Sequence, residues 1–347
     1  MKLLVVTQKV DEEDENLGFF HRWLEEFARR SDRVWVVANT VGRCSLPANV
    51  EVYSLGKEKG SWRILRLWKL WKIFLRLWGR TDAVFFHMIP DFVLMAAPFL
   101  VLASKPAALW YTHKSVTKRL KLAEKLVDYI FTASELSFRL PSKKVIFTGH
   151  AIDTEFFKPN LKPQILSSSS IRMITIGRIS PVKNIETIIH ACSLLKNSWD
   201  QSWILSIVGG PLMARDYAYF NSLKKNVRDA GLTDRILFYG ARPYTEVAEI
   251  YNDHDIFISM SSTGSIDKSV LEAMSAGLTV LTANEAFQPI LPASYFLEKR
   301  SPNFLVGRIK ALAYEPRPNS VLRQLVIEHH SLVQTIGKII KILDASS

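Results

Sequence analysis

The sequence contains little cysteine and no long uninterrupted hydrophobic segment. Cys44 and Cys192 are its two cysteines in 347 residues, which excludes a disulfide framework and a cysteine-rich metal site and indicates a reducing compartment. Its longest apolar run, residues 92–103, contains Pro98 and falls well short of the roughly 20 residues that span a bilayer. No signal-peptide pattern follows Met1. These absences predict a cytoplasmic protein, compatible with a peripheral position on the inner face of a membrane.

Positive charge is concentrated in the first half of the chain. The formal net charge is +12, and residues 56–80 contain eight Lys or Arg against one Glu, while residues 113–125 contain five against one. An apolar content of 48% and a charged content of 22% are ordinary for a globular protein and exclude intrinsic disorder. A basic region of this size indicates an anionic partner, either nucleic acid or a membrane surface.

Apolar runs rich in β-branched and aromatic residues alternate with helical patterns along most of the chain. This alternation predicts α/β structure with parallel, doubly wound sheets. Residues 156–170 interrupt it with two prolines and four consecutive serines, a composition typical of a linker. Because 347 residues exceed one comfortable core, we predict two domains, residues 1–158 and 165–347, with a cleft between them.

A turn with two cations follows the first strand of the second domain. Gly177 and Pro181 shape the turn, Arg178 and Lys183 stand five positions apart, and Asn184 is the predicted N-cap of the next helix. Ligands of open parallel sheets lie at the carboxyl ends of the strands, and helix N-termini favour anions. An Arg fork and a Lys charge placed there predict a site for a diphosphate leaving group. The alternative is two solvated cations on a surface turn.

Residues 258–284 form a second motif, in which a strand, a polar turn, a short helix and another strand follow one another. Glu272 in the short helix can accept two hydrogen bonds from the cis-diol of a ribose. The backbone NH groups near Val270 and Leu271 can face phosphate oxygens. The alternatives are a surface helix glutamate for Glu272 and simple turn geometry for Gly264.

The combination of the two motifs resembles glycosyltransferase family 4, a family of retaining enzymes with the GT-B fold. GRISPVKN at 177–184 and LEAMSAGLTVLTAN at 271–284 are the most specific segments, and GHAIDTEFF at 149–157, VGGP at 208–211 and DIFISMS at 255–261 fall in the expected order. The resemblance implies two Rossmann-like domains facing a cleft, with the last helix crossing back to the first domain. It also implies transfer of a hexose-type sugar from a nucleotide-diphosphate sugar to a glycan or lipid-linked acceptor, in polysaccharide biosynthesis, without a metal or cofactor.

The resemblance assigns roles residue by residue. Arg178 and Lys183 would bind the donor diphosphate and stabilise its departure, and His113 would reach the 6-hydroxyl region of the sugar; these are the predicted catalytic residues. Glu272 would hold the ribose. The full set of predicted donor contacts also includes Gly18, Gly177, Gly210, Gly264, Asp267, Lys268, Val270 and Leu271.

Two features of the first domain are candidates for contact with the acceptor. His87 ends a strand and is predicted to face the cleft, and Asp11 opens an acidic run before Gly18. The alternative for His87 and His113 is a structural histidine, and the alternative for the acidic run is a solvated loop.

The chain departs from the family pattern at one important position. Gly264 stands where the family usually has the first of two glutamates, a residue that contacts the hydroxyls of the transferred sugar. Asp267 and Lys268 are candidates to replace it. The departure leaves the donor sugar open and motivates a second hypothesis, a sugar-nucleotide-binding protein without turnover.

Residues 61–80 predict a basic amphipathic helix. Plotted at about 100° per residue, five cations cover a third of the circumference and five apolar residues cluster opposite. The cations are Arg66, Lys69, Lys72, Arg76 and Arg80, and the apolar residues are Leu67, Trp68, Trp71, Phe74 and Trp78. We predict that Trp68, Lys69, Trp71, Lys72, Arg76 and Trp78 contact a membrane surface. The alternative is a helix that packs on the sheet while its cations are solvated.

A third hypothesis, nucleic-acid binding, rests on the net charge alone. It leaves Glu272 without a role, and the aromatic residues of the basic segment follow helical rather than strand spacing. No nucleic-acid partner is therefore expected.

Overall fold

The computed structural model describes residues 1–102, 105–160 and 170–346, which form two compact units. Unit 1 comprises Met1–Asp153, Pro243–Thr245 and His330–Ser347, and unit 2 comprises Thr154–Arg242 and Glu246–His329. The first unit therefore ends before the predicted boundary at residue 158. Phe157 explains the difference, because it is fully buried and packs edge-on against Tyr251 of unit 2. Most of the predicted linker, residues 161–169, lies outside the described residues.

Unit 1 is built on a seven-stranded parallel sheet with the strand order β3-β2-β1-β4-β5-β6-β7. The helices and strands of its first segment, Met1–Asp153, are β1 (Lys2–Val10), α1 (Phe19–Arg29), β2 (Arg33–Val41), β3 (Val50–Ser54), α2 (Arg63–Leu77), β4 (Ala83–His87), α3 (Pro90–Met95), α4 (Ala97–Leu102), β5 (Ala107–Trp110), α5 (Lys118–Leu126), β6 (Tyr129–Thr132) and β7 (Val145–Phe147).

Unit 2 is built on a five-stranded parallel sheet with the order β10-β9-β8-β11-β12. Its elements are β8 (Ser170–Ile176), α6 (Ile185–Ser198), β9 (Ser202–Val208), α7 (Ala214–Asp229), β10 (Ile236–Gly240), α8 (Val247–Asn252), β11 (Ile256–Ser259), α9 (Lys268–Ser275), β12 (Thr279–Thr282), α10 (Pro302–Leu312) and α11 (Ser320–His330).

The central strand of unit 1 is buried on both faces, as expected for a parallel sheet. Alternate residues of β1 join different clusters: Leu4 packs in one with Phe74 of α2, and Leu3 in the other with Phe27 of α1. The continuous apolar run at the start of the chain thus supplies two cores at once. This arrangement confirms the predicted α/β class with doubly wound parallel sheets.

The final helix, α12 (Leu332–Asp344), belongs to unit 1. Ile336 and Ile339 of its buried stripe enter the same cluster as Leu3 and Phe27. A parallel bridge at Ser331 leads the chain into this helix. The prediction that the last helix packs on the first domain is confirmed.

The sequence pattern missed some elements and merged others. Strand β3 and helices α5 and α10 are not marked by the sequence pattern, and the apolar run that starts at residue 92 falls in two short helices, α3 and α4, on either side of Ala96. In unit 2, α6 buries one face, with Ile188 and Leu195 completely inaccessible. Across the described residues, no helix is both long enough and apolar enough to cross a membrane.

Candidate functional site

The two predicted donor motifs lie side by side in unit 2. Strands β8 and β11 are parallel neighbours, so the loops that follow them emerge at the same edge of the sheet. The backbone NH of Ser262, after β11, donates to the Val182 carbonyl, after β8, over 3.1 Å. The topology therefore places residues 177–184 and 260–267 in direct contact.

The loop after β8 is held by its backbone. The Gly177 NH donates to the Val208 carbonyl over 3.0 Å, and Gly177 has a φ of +143°, a conformation that favours glycine. Asn184 precedes α6 as predicted but does not cap it through its side chain. Its backbone is left-handed, with a φ of +50°, and its Oδ1 accepts from the Thr187 hydroxyl. The first NH of α6, that of Ile185, donates instead to the Tyr219 hydroxyl over 2.9 Å.

Arg178 presents a buried donor that lacks a partner. Its Nε is inaccessible to solvent and makes no hydrogen bond with any described residue. Arg178 lines a small pocket together with Gly177, Lys183 and Ser259. A buried guanidinium NH left without an acceptor is costly, so this pocket favours an anionic ligand.

Lys183 points at a buried carboxylate. Its Nζ lies 3.0 Å from Oδ1 of Asp267, and Asp267 is 8% exposed. The amide of Asn284 donates to the other oxygen of Asp267 over 3.1 Å, and the Thr263 hydroxyl lies 3.4 Å from Oδ1. Asp267 thus organises the loop and the lysine, and its predicted replacement of the missing glutamate stays a prediction.

Glu272 lies inside unit 2 rather than on a helix surface, so that alternative is wrong. It is 5% exposed. Lys268 Nζ lies 2.9 Å from its Oε1, and the Tyr251 hydroxyl donates to its Oε2 over 3.3 Å. Burial, together with the Glu272 carboxylate, raises the pKa of the Tyr251 phenol well above its ordinary value, which keeps this phenol a donor. Val270 and Leu271, at the start of the same helix, are completely buried.

Asn284 and Tyr251 are members of this site that the sequence reasoning did not identify. Asn284 directly follows the apolar run of β12, and a polar residue at the carboxyl end of a parallel strand is a signal that could have found it. Tyr251 lies on the face of α8 that is buried, and no local pattern distinguishes it from a core aromatic.

The glycines of the predicted site differ in whether the structure could accept a side chain at their positions. A Cβ atom at position 18 would lie 2.5 Å from the Asp14 carbonyl oxygen and 2.6 Å from Tyr244 Cβ, so Gly18 is required by close packing within unit 1. Gly264 is buried with a φ of +66°. In VGGP the strict requirement falls on Gly209, where a Cβ would lie 2.0 Å from the Gly177 carbonyl oxygen, whereas Gly210 has room for a side chain.

The predicted residues of unit 1 have contrasting environments. His113 is exposed in the loop after β5, and its Nδ1 accepts from the Ser115 NH over 3.1 Å. His87 is 1% exposed and stacks on Phe20 with ring centroids 4.0 Å apart. His87 therefore lies enclosed in the aromatic core of unit 1 rather than on its surface, and its contact with an acceptor stays a prediction.

Asp11 has a partner inside its own loop. Its Oδ2 lies 3.0 Å from Lys9 Nζ, and its Oδ1 accepts from the Glu13 NH. Asp14 pairs with the same lysine and accepts from the backbone NH groups of Asn16 and Leu17. These carboxylates stabilise the loop and are not merely solvated charges, and the contact of Asp11 with an acceptor stays a prediction.

Helix α2 presents its apolar residues in a different arrangement from the predicted one. Leu70, Phe74 and Leu77 are its buried residues, and Trp78 packs on Phe74. Trp68 does not share this side and is 69% exposed. The core therefore takes only part of the apolar surface of α2, and Trp68 belongs to the part that it leaves exposed.

Part of this chain is similar in sequence to known proteins. A family model described as glycosyl transferases group 1 matches residues 157–290. The amylovoran biosynthesis glycosyltransferase AmsK of Erwinia amylovora is 28% identical over 158 residues, which cover 44% of this chain and 36% of that protein. The chain thus spans about a third of the length of that curated relative.

Solved structures match over the whole chain. Alr3699/HepE of Anabaena, in complex with UDP and glucose, superimposes with a TM-score of 0.75 at 15% identity and covers 99% of this chain and 100% of that one. Sucrose-phosphate synthase from Thermosynechococcus elongatus superimposes with a TM-score of 0.77 at 14% identity over 100% of both chains. The chain has the GT-B fold.

Proposed function

We propose that the chain is a retaining glycosyltransferase of family 4 that transfers a hexose-type sugar from a nucleotide-diphosphate sugar to a glycan or lipid-linked acceptor. The observation that carries the proposal is the contact between the loop of Arg178 and Lys183 and the loop that leads into the helix of Glu272. Ser262 bonds to Val182 in this contact, and Lys183 pairs with Asp267. The matching group 1 family model, the relative in amylovoran biosynthesis and the UDP complex of a protein with the same fold support it.

Different residues of the site bind different parts of the nucleotide. Arg178 and Lys183 bind the two phosphates, and the buried Nε of Arg178 gains the acceptor that it lacks within the described chain. Glu272 accepts hydrogen bonds from the ribose hydroxyls while Tyr251 and Lys268 fix its orientation. Binding of the ribose by Glu272 and of the phosphates by Arg178 and Lys183 explains why unit 2 has a buried carboxylate in the helix next to the loop with the two cations.

The reaction then needs positioning and charge stabilisation. The acceptor hydroxyl attacks the anomeric carbon on the face from which the diphosphate departs, and the bond between that carbon and the phosphate oxygen breaks. The departing phosphate oxygen takes the proton of the acceptor hydroxyl. Arg178 and Lys183 stabilise the negative charge that develops on the diphosphate. The proposed reaction uses neither a metal ion nor a cofactor.

A sugar-nucleotide-binding protein without turnover is the second candidate, and Gly264 favours it. This position lacks the carboxylate with which the family contacts the transferred sugar, and Asp267 is engaged by Lys183 and Asn284. The two candidates share the donor site and differ in chemistry, so activity separates them.

We place the protein on the cytoplasmic side of a membrane, in peripheral contact with it. The exposed aromatic residues and cations of α2 support this location. A lipid-linked acceptor would be presented at that surface.

The proposal is tested by incubating the protein with UDP-, GDP-, ADP- and TDP-linked hexoses and following the anomeric proton by NMR. We expect slow hydrolysis or transfer of one donor, with a first product that keeps the donor's anomeric configuration. Lys183→Ala should lose this activity, and Lys225→Ala, an exposed lysine on α7, should keep it. Donor binding without any turnover would support the second candidate, and an inverted first product would overturn the retaining mechanism.

A further inference from the structure

A second pocket lies in unit 1, and the residues that line it are not among the donor-site residues of unit 2. It has a volume of about 680 Å³ and opens where β1, β2 and β4 approach their carboxyl ends, with Gln8, Asn39 and Ile89 in its wall. Ligands of parallel sheets bind at this edge. The pocket is large enough for a small polar group.

The wall of this pocket is strongly basic. It contains the four cationic side chains of Lys57, Arg63, Arg66 and Arg119 and one carboxylate, that of Asp91. Arg119 Nη1 lies 2.7 Å from Asp91 Oδ1, so this pair neutralises itself. Three cations remain, which gives the pocket a net positive charge and favours an anion.

A hydrogen bond to strand β2 of the sheet orients the side chain of Arg66. Its Nη1 donates to Asn39 Oδ1 over 2.7 Å, while its Nε is buried and makes no hydrogen bond with the described part of the chain. Arg63 and Arg66 occupy the first turn of α2, where the helix dipole adds positive potential. These groups match a phosphate or diphosphate, whose oxygens accept several hydrogen bonds at once.

Helix α2 also carries an apolar stripe that the core leaves uncovered. Ile64, Trp68, Trp71 and Leu75 follow one another at four-, three- and four-residue steps, so they share one face, and they are 65%, 69%, 36% and 73% exposed. Cations flank this stripe at Lys72 and elsewhere on the same helix. Uncovered aromatic and aliphatic side chains beside cations are typical of a surface that binds anionic membranes.

The pocket and the stripe meet at Ile64, which lines the pocket and begins the stripe. We propose that unit 1 binds a membrane lipid that carries a phosphate or diphosphate head, with the head in the basic pocket and the stripe in the membrane surface. That this lipid is the sugar acceptor rests on the function proposed above; the binding itself does not.

The basic pocket and the apolar stripe are the two halves of one binding surface, and together they favour a lipid over a soluble anion. A soluble phosphorylated sugar would satisfy the pocket and leave four apolar side chains in water. A nucleic acid would satisfy the cations, but Trp68 and Leu75 lie on a convex helix face rather than in the groove that a strand of bases needs. An amphiphile covers both halves.

The test is flotation of the full chain with vesicles of phosphatidylcholine alone, of phosphatidylcholine with phosphatidylglycerol, and of phosphatidylcholine with an equal-charge share of a polyprenyl diphosphate. We expect no binding to the first, binding to the second, and tighter binding to the third. Trp68→Ser, at an exposed position, should weaken binding to both anionic vesicles about tenfold, since it removes a large interfacial side chain.

Variants separate the pocket from general charge attraction. Arg66→Gln should abolish the preference for the diphosphate lipid, whereas Arg80→Gln, an exposed cation outside the pocket wall, should weaken binding to both anionic vesicles by the same factor of about five, the usual contribution of one cation near the surface. Circular dichroism would check that each variant is folded. Equal loss of preference in both variants would overturn the pocket as the binding site.

Other outcomes overturn the proposal in other ways. Binding of inorganic diphosphate as tight as binding of the diphosphate lipid indicates a soluble ligand, and binding of RNA that displaces the vesicles indicates a nucleic-acid surface. Lys183→Ala should bind vesicles like the wild type. Vesicle binding without any nucleotide binding would keep this inference and remove the proposed function, and the reverse result would do the opposite.

Discussion

The ammonium group of Lys183 lies 3.0 Å from Oδ1 of Asp267, although 84 positions separate the two residues. Both are largely shielded from solvent, with side-chain exposures of 21% and 9%. Asn284 holds the second oxygen of the carboxylate. Lys183 is therefore held at the edge of the sheet by a carboxylate, and a diphosphate that binds there must share the lysine with it or displace it.

Replacing Asp267 tests whether its carboxylate and the diphosphate compete for Lys183. Asp267→Asn keeps the shape of the side chain and removes its charge, which leaves the lysine without its anion. We expect a lower melting temperature without ligand, since breaking a shielded ion pair is destabilising by several kcal/mol at most. We also expect a larger stabilisation by the bound nucleoside diphosphate, because the phosphates then supply the missing charge. Equal ligand-induced shifts in the variant and the wild type would show that the two anions do not compete.

Arg178 tests the stabilisation of the leaving group. Arg178→Lys retains the charge but not the planar fork that binds phosphate at two points. We expect the rate of donor hydrolysis or transfer to fall about tenfold or more, with a smaller change in KM, because the charge on the diphosphate grows in the transition state. Lys225→Arg on α7 is the matched control and should change neither parameter. A pure KM effect would assign Arg178 to ground-state binding.

Glu272 tests the recognition of ribose. The wild type should bind a nucleoside diphosphate more tightly than its 2′-deoxy analogue, by roughly the 1.5–3 kcal/mol of a hydrogen bond to a charged group. In Glu272→Gln this discrimination should largely disappear. Tyr251→Phe should reduce it partially, because it removes one hydrogen bond that orients the carboxylate. Calorimetric titration with the two ligands measures the difference, and undiminished discrimination in Glu272→Gln would rule out the ribose contact.

The C-terminal helix provides a test of the division into units. Ile339 is fully buried in the unit 1 core, so Ile339→Ala should destabilise that unit by about 2–5 kcal/mol. Hydrogen exchange should then accelerate in β1 and β2 and stay unchanged in β8 and β9. Leu305→Ala, at an equally buried position of α10 in unit 2, should give the opposite pattern. Acceleration in the same strands for both variants would contradict the assignment.

His254 makes stability depend on pH. Burial lowers its pKa, and its ring nitrogens bond to the Ile250 carbonyl and the Ser206 hydroxyl. The unfolded chain, with an ordinary value of about 6.5, therefore binds more protons than the folded chain in the interval below that value. The contribution of neutral His254 to the free energy of unfolding is complete above about pH 6.5. It is lost as the pH falls through the folded-state pKa of this histidine. Melting temperatures of His254→Gln should decline less than those of the wild type between about pH 7 and 5, and parallel curves would refute this.

The sequence predicts unit 2 well because its strands are short apolar runs that end in polar turns. Strands β8, β9 and β11 are marked by such runs, and their carboxyl ends locate the site without knowledge of contacts. In unit 1, β3 is missed because its sequence, VEVYS, has no continuous apolar run and every residue of the strand is only partly buried.

The parts of the site that could not be predicted depend on long-range packing. The pairing of Lys183 with Asp267 follows from the adjacency of β8 and β11, which no local pattern gives. His87 resembles a ligand contact in sequence, and only the arrival of Phe20 from α1 shows that it is enclosed. The exposure of Trp68 likewise depends on which side of α2 the sheet selects.

The loop of Arg178 and Lys183 and the helix of Glu272 are proposed to form one nucleotide site. A thermal-shift panel with UDP, GDP, ADP, CMP and TDP on the wild type, Lys183→Ala and Glu272→Ala tests this proposal. We expect one nucleotide to stabilise the wild type selectively and both variants to lose this shift. The absence of a shift with every nucleotide at millimolar concentration would contradict it.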